Sequence, residues 1–202
     1  ADPLGPDNML GFVSGLLTGA GSLFTGRWMA AAKSPLTGGW GDANCGGTFS
    51  PAIKRCGYDG IFFTGISEKP VYLRVEKGKA ELCDASDLWG KDTKETEEIL
   101  IRRASGKKSP KIACIGPAGE KLSLISGIAN DGGRMAARSG LGAVMGSKKL
   151  KAVVISGARR IKVKNRYEMK RLSKACNKYV QFQPPFPSGP VAGLLGTAMR
   201  KL

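Results

Sequence analysis

Histidine is missing from this 202-residue sequence, and its absence excludes several kinds of catalytic and metal-binding site. Without an imidazole there is no Ser-His-Asp or Cys-His nucleophile, no His-ligated zinc and no ordinary general base near neutral pH. Cysteines are few, widely spaced and odd in number, and none forms a C-x-x-C pair: Cys45, Cys56, Cys83, Cys114 and Cys176. This pattern argues against a disulfide framework and predicts reduced thiols in a cytoplasmic protein.

Long apolar runs are also lacking. No stretch reaches the roughly 18 to 20 apolar residues that a membrane span requires, so we expect no membrane partner. The first residues, Ala-Asp-Pro-Leu-Gly-Pro-Asp-Asn, contain no basic or apolar leader segment and no initiator Met. We expect that the chain begins inside a domain whose start is missing.

Acidic residues are scarce: 16 Asp and Glu stand against 32 Lys and Arg, which gives a net charge of +16. Between Arg134 and Lys178 there are 14 basic residues and one acid, Glu168. Such a surplus fits a solvated face, an acidic protein partner, nucleic acid or a polyanionic cofactor. Only Tyr167 is aromatic in this segment, which disfavours a nucleic-acid-binding module that stacks bases.

Glycine is abundant, with 29 residues scattered along the chain, and it clusters with polar residues in two places. One cluster lies within residues 41–47, after Arg27, and the other lies within residues 130–149, which contain Arg134. Glycines let backbone N–H groups approach an anion, and arginines can bind phosphate oxygens with two hydrogen bonds. We interpret both clusters as candidate phosphate-binding turns, although their spacing fits neither a P-loop nor a dinucleotide fingerprint.

Hydrophobic periodicity and turn residues predict an α+β fold with largely antiparallel sheets. The predicted strands lie within residues 9–19, 28–32, 58–64, 71–75, 80–83, 111–115, 122–128 and 151–155. The predicted helices cover residues 50–55, 93–104, 141–148 and 166–180, with turns at 116–119 and an extended, proline-rich segment at 181–190. Gly57 is the expected C-cap of the first helix, and Asp92 with Glu95 forms a capping box that begins the second, which Gly106 should stop.

Three blocks of sequence together resemble one known family. They are TGRWMAAAKSPLTGGWGDANCGG at residues 25–47, CDASDLWG at 83–90 leading to IGPAGE at 115–120, and NDGGRMAARSGLGAVMGSKKLKAVV at 130–154. In content and order they resemble the N-terminal domain of the tungsten-containing aldehyde:ferredoxin oxidoreductase family, from Asp2 to about Gly157. The resemblance implies two stacked sheets that form the base for a bis-pterin cofactor (tungstopterin) carrying tungsten or molybdenum, with a [4Fe-4S] cluster that passes electrons to ferredoxin.

The same resemblance implies eight cofactor-binding residues, which lie in the two glycine turns and beside them. They are Arg27, Asn44, Cys45 and Gly46, and then Arg134, Met135, Ala137 and Arg138, of which the last is the weaker candidate. The second group would follow the pterin phosphates or the Mg²⁺ that joins them. Cys45 stands where the family often has a small hydroxyl residue, and Met135 and Ala137 stand where it often has alanine and glycine. We interpret Cys45 as a small residue rather than a metal ligand, because pterin dithiolenes hold the metal in that family.

The resemblance also implies a division of the chain and its partners. Residues 1–160 would form the pterin-binding domain, and residues 161–202 a basic helix and proline-rich segment that leads into later domains. Those domains would ligate the Fe-S cluster and act as partners together with ferredoxin or another acceptor, and a homo-oligomer is left open. This chain alone is therefore expected to be inactive in aldehyde oxidation.

Two alternatives stay open beside this interpretation. The same scaffold could serve another reaction, such as acyl-CoA reduction, and the basic segment could instead bind nucleic acid. Lys148, Lys149 and Lys151 are expected to form a solvated basic edge rather than to bind phosphate. Three tryptophans are expected in the core or in an interface: Trp28, Trp40 and Trp89.

Overall fold

The computed structural model describes residues 1–76, 78–104 and 109–180. The chain divides into two compact units, and the first, Ala1–Val163, contains every described strand. The second unit begins at Lys164, and its described part contains one helix, α5 (Arg166–Val180), which confirms the helix predicted at residues 166–180. In the described ranges, no helix combines the length and the apolar character that crossing a membrane requires.

Ten strands in the described residues form two sheets, which confirms the predicted α+β class. They are β1 (Leu10–Ser14), β2 (Trp28–Lys33), β3 (Trp40–Cys45), β4 (Gly60–Phe63), β5 (Val71–Glu76), β6 (Lys79–Asp84), β7 (Lys111–Cys114), β8 (Ile128–Asn130), β9 (Arg134–Ala136) and β10 (Leu150–Ser156). The four-stranded sheet has the order β3-β2-β1-β4, and the six-stranded sheet has the order β6-β5-β10-β7-β8-β9. Every neighbouring pair is antiparallel except β10 with β5. The strand orders place β3 at one edge of the smaller sheet and β9 at one edge of the larger sheet.

Four helices accompany the sheets in the first unit. They are α1 (Phe49–Cys56), α2 (Thr93–Arg103), α3 (Pro117–Glu120) and α4 (Leu141–Ser147). Gly57 ends α1 in the left-handed conformation with φ 94°, and the Asp92 carboxylate accepts a 2.8 Å hydrogen bond from the Glu95 N–H to begin α2. Both caps confirm the predictions, whereas the expected stop at Gly106 lies outside the described residues.

One hydrophobic cluster draws side chains from both sheets and from α1 and α4. Alternation along β1 points Leu10 and Phe12 into this cluster and leaves Gly11 and Val13 on the outer face. The Phe12 and Trp28 rings stack with centroids 5.4 Å apart, and Phe49 of α1 meets Trp28 edge-on at 5.1 Å. The two sheets therefore share this core, and a second cluster packs residues of the six-stranded sheet against Leu100 of α2.

Two predictions in the middle of the chain are wrong. Residues 122–127 do not form a strand, because only Ile128–Asn130 joins the sheet, and residues 117–120 form the short helix α3 instead of a turn. Pro117 suits the first turn of a helix, where its missing N–H is not needed. The apolar run after α3 turns along α4, where the Ser126 carbonyl accepts from the Gly142 N–H, and leaves Ile125 on the surface.

Two assignments in the four-stranded sheet also need correction. Residues 41–45, expected in a polar turn, form most of β3, which pairs along its whole length with β2. The strand expected to be buried at residues 58–64 is the edge strand β4, and Phe62 is exposed there. Among the tryptophans, Trp28 is in the core, Trp40 is exposed and Trp89 is half-buried.

The expectation of a solvated lysine edge is wrong for two of its three residues. Lys151 in β10 is fully buried, where its ammonium group pairs with Glu120 and donates to the Lys91 carbonyl at 2.7 Å. Lys148 is also buried, and its Nζ donates to the Gly65 carbonyl at 3.1 Å. Burial lowers the pKa of Lys148. These cations stabilise the packing of loops instead of facing water.

Replacing Glu120 with alanine should lower the free energy of unfolding by about 3–5 kcal/mol, because Lys151 would stay buried without its carboxylate partner. Urea denaturation followed by tryptophan fluorescence measures this loss. Asp87→Ala is the control, because Asp87 pairs with Arg103 in a largely exposed ion pair that water already solvates. Equal losses in the two variants would contradict a structural role for the buried pair.

Candidate functional site

Two glycine turns remain between the elements: residues 46–48 after β3, and residues 131–133 between β8 and β9. They lie side by side, where the edge strands β3 and β9 of the two sheets approach each other. A Cβ atom placed on Gly46 would lie 3.5 Å from Arg27 Nη1 and 3.6 Å from Arg134 Nη1. The two guanidinium nitrogens are therefore no more than about 7 Å apart. The structure brings both arginines to the same side of the molecule, although 106 residues separate them in the sequence.

Arg27 is oriented by its neighbour on the next strand. It precedes β2, and its Nε donates to the Asn44 side-chain oxygen at 2.7 Å, while Nη2 donates to the same oxygen and to the Asn44 carbonyl. Asn44 lies in β3, where the register places it opposite Met29 of β2. Both polar side chains are exposed, so the guanidinium group is fixed in direction and accessible from solvent.

A buried amide joins the two turns beneath the arginines. The Asn130 side chain at the end of β8 accepts a hydrogen bond from the Cys45 thiol at 3.0 Å and donates to the Gly46 carbonyl at 3.2 Å. Burial raises the pKa of the Cys45 thiol, and the Arg27 and Arg134 charges only partly offset this effect. Cys45 is therefore a protonated hydrogen-bond donor within the fold, which agrees with its interpretation as a small residue.

Asp131 makes a second connection between the turns. It adopts a left-handed conformation with φ 48°, and its carboxylate accepts hydrogen bonds from the Thr48 backbone N–H and, at 2.6 Å, from the Thr48 hydroxyl. Thr48 is the N-cap residue of α1, yet its side chain makes no capping bond to that helix. A Cβ on Gly47, whose φ is 113°, would overlap the Asp131 carboxylate, so glycine is required there.

The same sequence blocks also meet nearer the start of β3. The Ser34 hydroxyl donates to the Ser139 carbonyl at 2.9 Å, and the Ser139 hydroxyl donates to the Asp42 carbonyl at 3.3 Å. These bonds hold the loop after β2 against the segment between β9 and α4.

Five of the eight predicted site residues converge, and the other three do not join them through their side chains. Arg27, Asn44, Cys45, Gly46 and Arg134 surround the paired turns. Alternation along β9 points Met135 away from Arg134, and its methyl group lies 2.9 Å from a Cβ placed on Gly127. Ala137 also lies against Gly127, and Arg138 is exposed beyond the strand.

Three residues of the site were missed from the sequence: Thr48, Asn130 and Asp131. The run Asn-Asp-Gly-Gly does indicate a tight turn, because Asn and Asp tolerate the left-handed region. Nothing local shows that their partners lie more than 80 residues earlier. Within residues 1–76, 78–104 and 109–180, no three His, Cys, Asp or Glu side chains group closely enough to hold a metal ion.

An apolar groove of about 540 Å³ occupies the outer face of the four-stranded sheet, on which Asn44 also lies. Gly11 and Ala31 line its floor, and the exposed rings of Trp40 and Phe62 line it as well. The Phe62 ring lies over Gly11, where an added Cβ would come within 2.9 Å of it. The groove and Asn44 thus lie on the same face of the sheet, although Arg27, Gly46 and Arg134 do not line the groove.

Replacing Asn130 with alanine should increase the rate at which Cys45 reacts with a maleimide by about tenfold, because it opens the space beside a buried thiol. The rate should rise with pH through and above pH 9, since the thiolate is the reactive form and the pKa is raised. Peptide mass spectrometry measures each cysteine separately. Cys114, whose pKa burial raises to about 12, is the internal control. Equal labelling of Cys114 would indicate general unfolding and contradict a local role for Asn130.

Comparisons with known proteins show which family this chain resembles. Residues 1–157 match the family described as aldehyde ferredoxin oxidoreductase, N-terminal domain. The tungsten-containing aldehyde ferredoxin oxidoreductase of Thermococcus kodakarensis is 48% identical over 163 residues, which cover 81% of this chain and 27% of that protein. The protein of the same name from Pyrococcus furiosus is 47% identical over 162 residues, which cover 80% of this chain and 27% of that protein.

A more distant relative and a solved structure extend the comparison. An aliphatic sulfonate oxidoreductase, WOR-like subunit, of Pyrococcus furiosus is 33% identical over 169 residues, covering 78% of this chain and 27% of that protein. The active-site complex of a benzoyl-coenzyme A reductase, bound to 1,5-dienoyl-CoA, contains a chain that superposes with a TM-score of 0.85 at 34% identity. The superposition covers 94% of this chain and 30% of that one. The chain thus spans about a quarter of the length of these relatives, and it belongs to the aldehyde ferredoxin oxidoreductase N-terminal domain family.

Proposed function

We propose that the paired turns bind the phosphate groups of a bis-pterin cofactor that carries tungsten or molybdenum. The chain would act within a longer enzyme that oxidises aldehydes to carboxylic acids and passes the electrons to ferredoxin. The observation that carries this proposal is the approach of Arg27 and Arg134 to the same Cβ position of Gly46. The names of the similar tungsten-containing proteins support the choice of cofactor and reaction.

The residues present fit a phosphorylated group. The two guanidinium groups lie within about 7 Å of each other. Arg134 can donate paired hydrogen bonds to phosphate oxygens, and Arg27 offers its Nη1 group, because Asn44 already accepts from its Nε and Nη2. Arg27 already has its direction set by Asn44, so less side-chain freedom is lost when an anion binds. Gly46 keeps the space between the two arginines free of a side chain.

The groove on the same face of the four-stranded sheet as Asn44 would receive the flat ring system of the cofactor. Its floor of small residues and its exposed Trp40 and Phe62 rings provide apolar contact for a planar group. When bound, the metal-carrying pterin would supply two-electron redox chemistry, and the residues of this chain would bind and orient it.

The proposal includes the three remaining predicted residues, the domains and the partners. Met135 in β9, and Ala137 and Arg138 directly after it, would contact the cofactor through their backbone groups, near a Mg²⁺ that joins the pterin phosphates. Residues 1–160 would be the cofactor domain of a cytoplasmic enzyme, and residues 161–202 would lead to the domains that ligate a [4Fe-4S] cluster. Those domains and ferredoxin would be the partners.

Acyl-CoA reduction is the second candidate, because the benzoyl-coenzyme A reductase complex superposes on 94% of this chain. Both candidates would use the same phosphate site, so the substrate and the direction of electron flow separate them. Assaying the longer enzyme with an aldehyde and oxidised ferredoxin, and with an aromatic acyl-CoA and a strong reductant, distinguishes the two. We expect turnover of the aldehyde, and turnover of the acyl-CoA alone would replace the main proposal with the second.

Replacing Arg27 or Arg134 with glutamine should each weaken the binding of inorganic pyrophosphate to the full 202-residue chain by about tenfold. One charge-assisted hydrogen bond is worth about 1.5–3 kcal/mol, and 1.4 kcal/mol corresponds to a factor of ten. Isothermal titration calorimetry at fixed ionic strength measures the affinities. Arg102→Gln is the control, because Arg102 is an exposed arginine on α2.

An equal loss in Arg102→Gln would mean that the general positive charge binds pyrophosphate, and it would contradict the proposed site. Tight, salt-sensitive binding of random DNA, measured by gel shift and unaffected by the Arg27 and Arg134 changes, would favour the nucleic-acid alternative.

Gly46 offers a test that leaves both arginines in place. A Cβ at this position has ordinary contact distances, so Gly46→Ala should fold with a free energy of unfolding within about 1 kcal/mol of the original. Urea denaturation shows whether Gly46→Val is folded to the same extent. The valine side chain would occupy the space between the guanidinium groups and should weaken pyrophosphate binding by about tenfold. The alanine variant is the matched control and should bind more tightly than the valine variant. Undiminished binding by Gly46→Val would show that the anion does not lie between the arginines.

A further inference from the structure

We infer that Asn130 and Asp131 are positioning residues, which hold Arg27 and Arg134 at the separation that allows both to bind one anion. The inference rests on the proposed phosphate site and assigns these two residues a task that is distinct from anion contact. It is carried by the hydrogen bonds that join the two turns across the gap between the sheets.

Asn130 fixes the position of the first turn from below. Its side chain is 1% exposed, and both ends of its amide are bonded to atoms of the other block. The amide oxygen accepts from Cys45, and the amide nitrogen donates to the Gly46 carbonyl at 3.2 Å and to the Asp131 carboxylate at 3.1 Å. A buried amide that makes these bonds has one favourable orientation, so it determines where Gly46 lies relative to β8 and β9.

Asp131 fixes the exit of the same turn. Its carboxylate binds both the backbone N–H and the hydroxyl of Thr48, at the N-terminus of α1. That helix has no acidic residue in its first turn and no side-chain cap of its own. Asp131 therefore supplies from the opposite turn the negative charge that a helix N-terminus favours. Arg134 follows three residues later in the same hairpin, so the position of Thr48 and the position of Arg134 are linked.

Electrostatics alone predicts the opposite effect for Asp131. A carboxylate beside two guanidinium groups lowers the local positive potential, so its removal should strengthen anion binding if charge were the only factor. If Asp131 instead holds the arginines at a working separation, its removal should weaken binding although the chain gains positive charge. The sign of the change therefore separates positioning from simple charge.

The test is a double-mutant cycle of Arg27→Gln and Arg134→Gln, measured by calorimetry with inorganic pyrophosphate in the full chain. In the original background the two changes should be non-additive, because both arginines bind one anion. In the Asp131→Ala background the affinity should fall about fivefold to tenfold, and the two arginine changes should become nearly additive.

Two further variants make the result specific. Asp84→Ala removes a carboxylate from β6, at the opposite edge of the six-stranded sheet from β9, and should leave the affinity and the coupling unchanged. Thr48→Val removes the hydroxyl that bonds to Asp131 without changing the charge. It should weaken both the affinity for pyrophosphate and the coupling between the two arginines. Urea denaturation of each variant confirms that the chains compared are folded.

The outcomes separate the two proposals. If Asp131→Ala binds pyrophosphate as tightly as the original chain or more tightly, with the arginines still coupled, the inference is overturned and the phosphate site stands. If the original chain shows no pyrophosphate binding that depends on Arg27 and Arg134, the phosphate site and the inference both fall.

Discussion

The structure depends on one junction, where the edge strands of two separate sheets meet without pairing as strands. Edge strands carry unpaired backbone groups, so such a junction needs side chains that supply specific bonds. The buried Asn130 amide supplies them through Cys45 and Gly46, and Asp131 adds the bond to Thr48. The exposed arginines lie on top of this junction, so their separation would depend on the buried Asn130 amide and on the more exposed bond between Asp131 and Thr48.

Buried charge has a related role elsewhere in the same unit. In a chain with a net charge of +16, lysines are expected on the surface, yet Lys151 and Lys148 are enclosed. Lys151 connects β10 to α3 and to the loop before α2, because Glu120 also accepts from the Gly90 N–H. Lys148 connects α4 to the loop after β4. Both ammonium groups provide several donors at one point, which suits the joining of loops that carry free carbonyl groups.

The sequence predicts what local physics determines and misses what distant partners determine. Strands β1, β2, β5 and β10 follow from alternation and apolar runs, and the caps at Gly57 and Asp92 follow from residues within one helical turn. The arginines of the site could be named from the family resemblance. The burial of Lys151 depends on Glu120, 31 residues earlier, and the role of Asn130 depends on Cys45, 85 residues earlier. Residues 122–127 were misassigned because an apolar run has no sign that distinguishes a strand from a segment packed along a helix.

The strand order of the larger sheet has a consequence for biosynthesis. β10 is its last strand in the sequence but lies in the middle, between the β5–β6 hairpin and the antiparallel β7–β8–β9 group. These two halves have no strand pairing with each other until β10 inserts between them, and its pairing with β5 is non-local. During translation the sheet therefore cannot close before residue 156 has left the ribosome. Until then both halves expose the edges that β10 later covers.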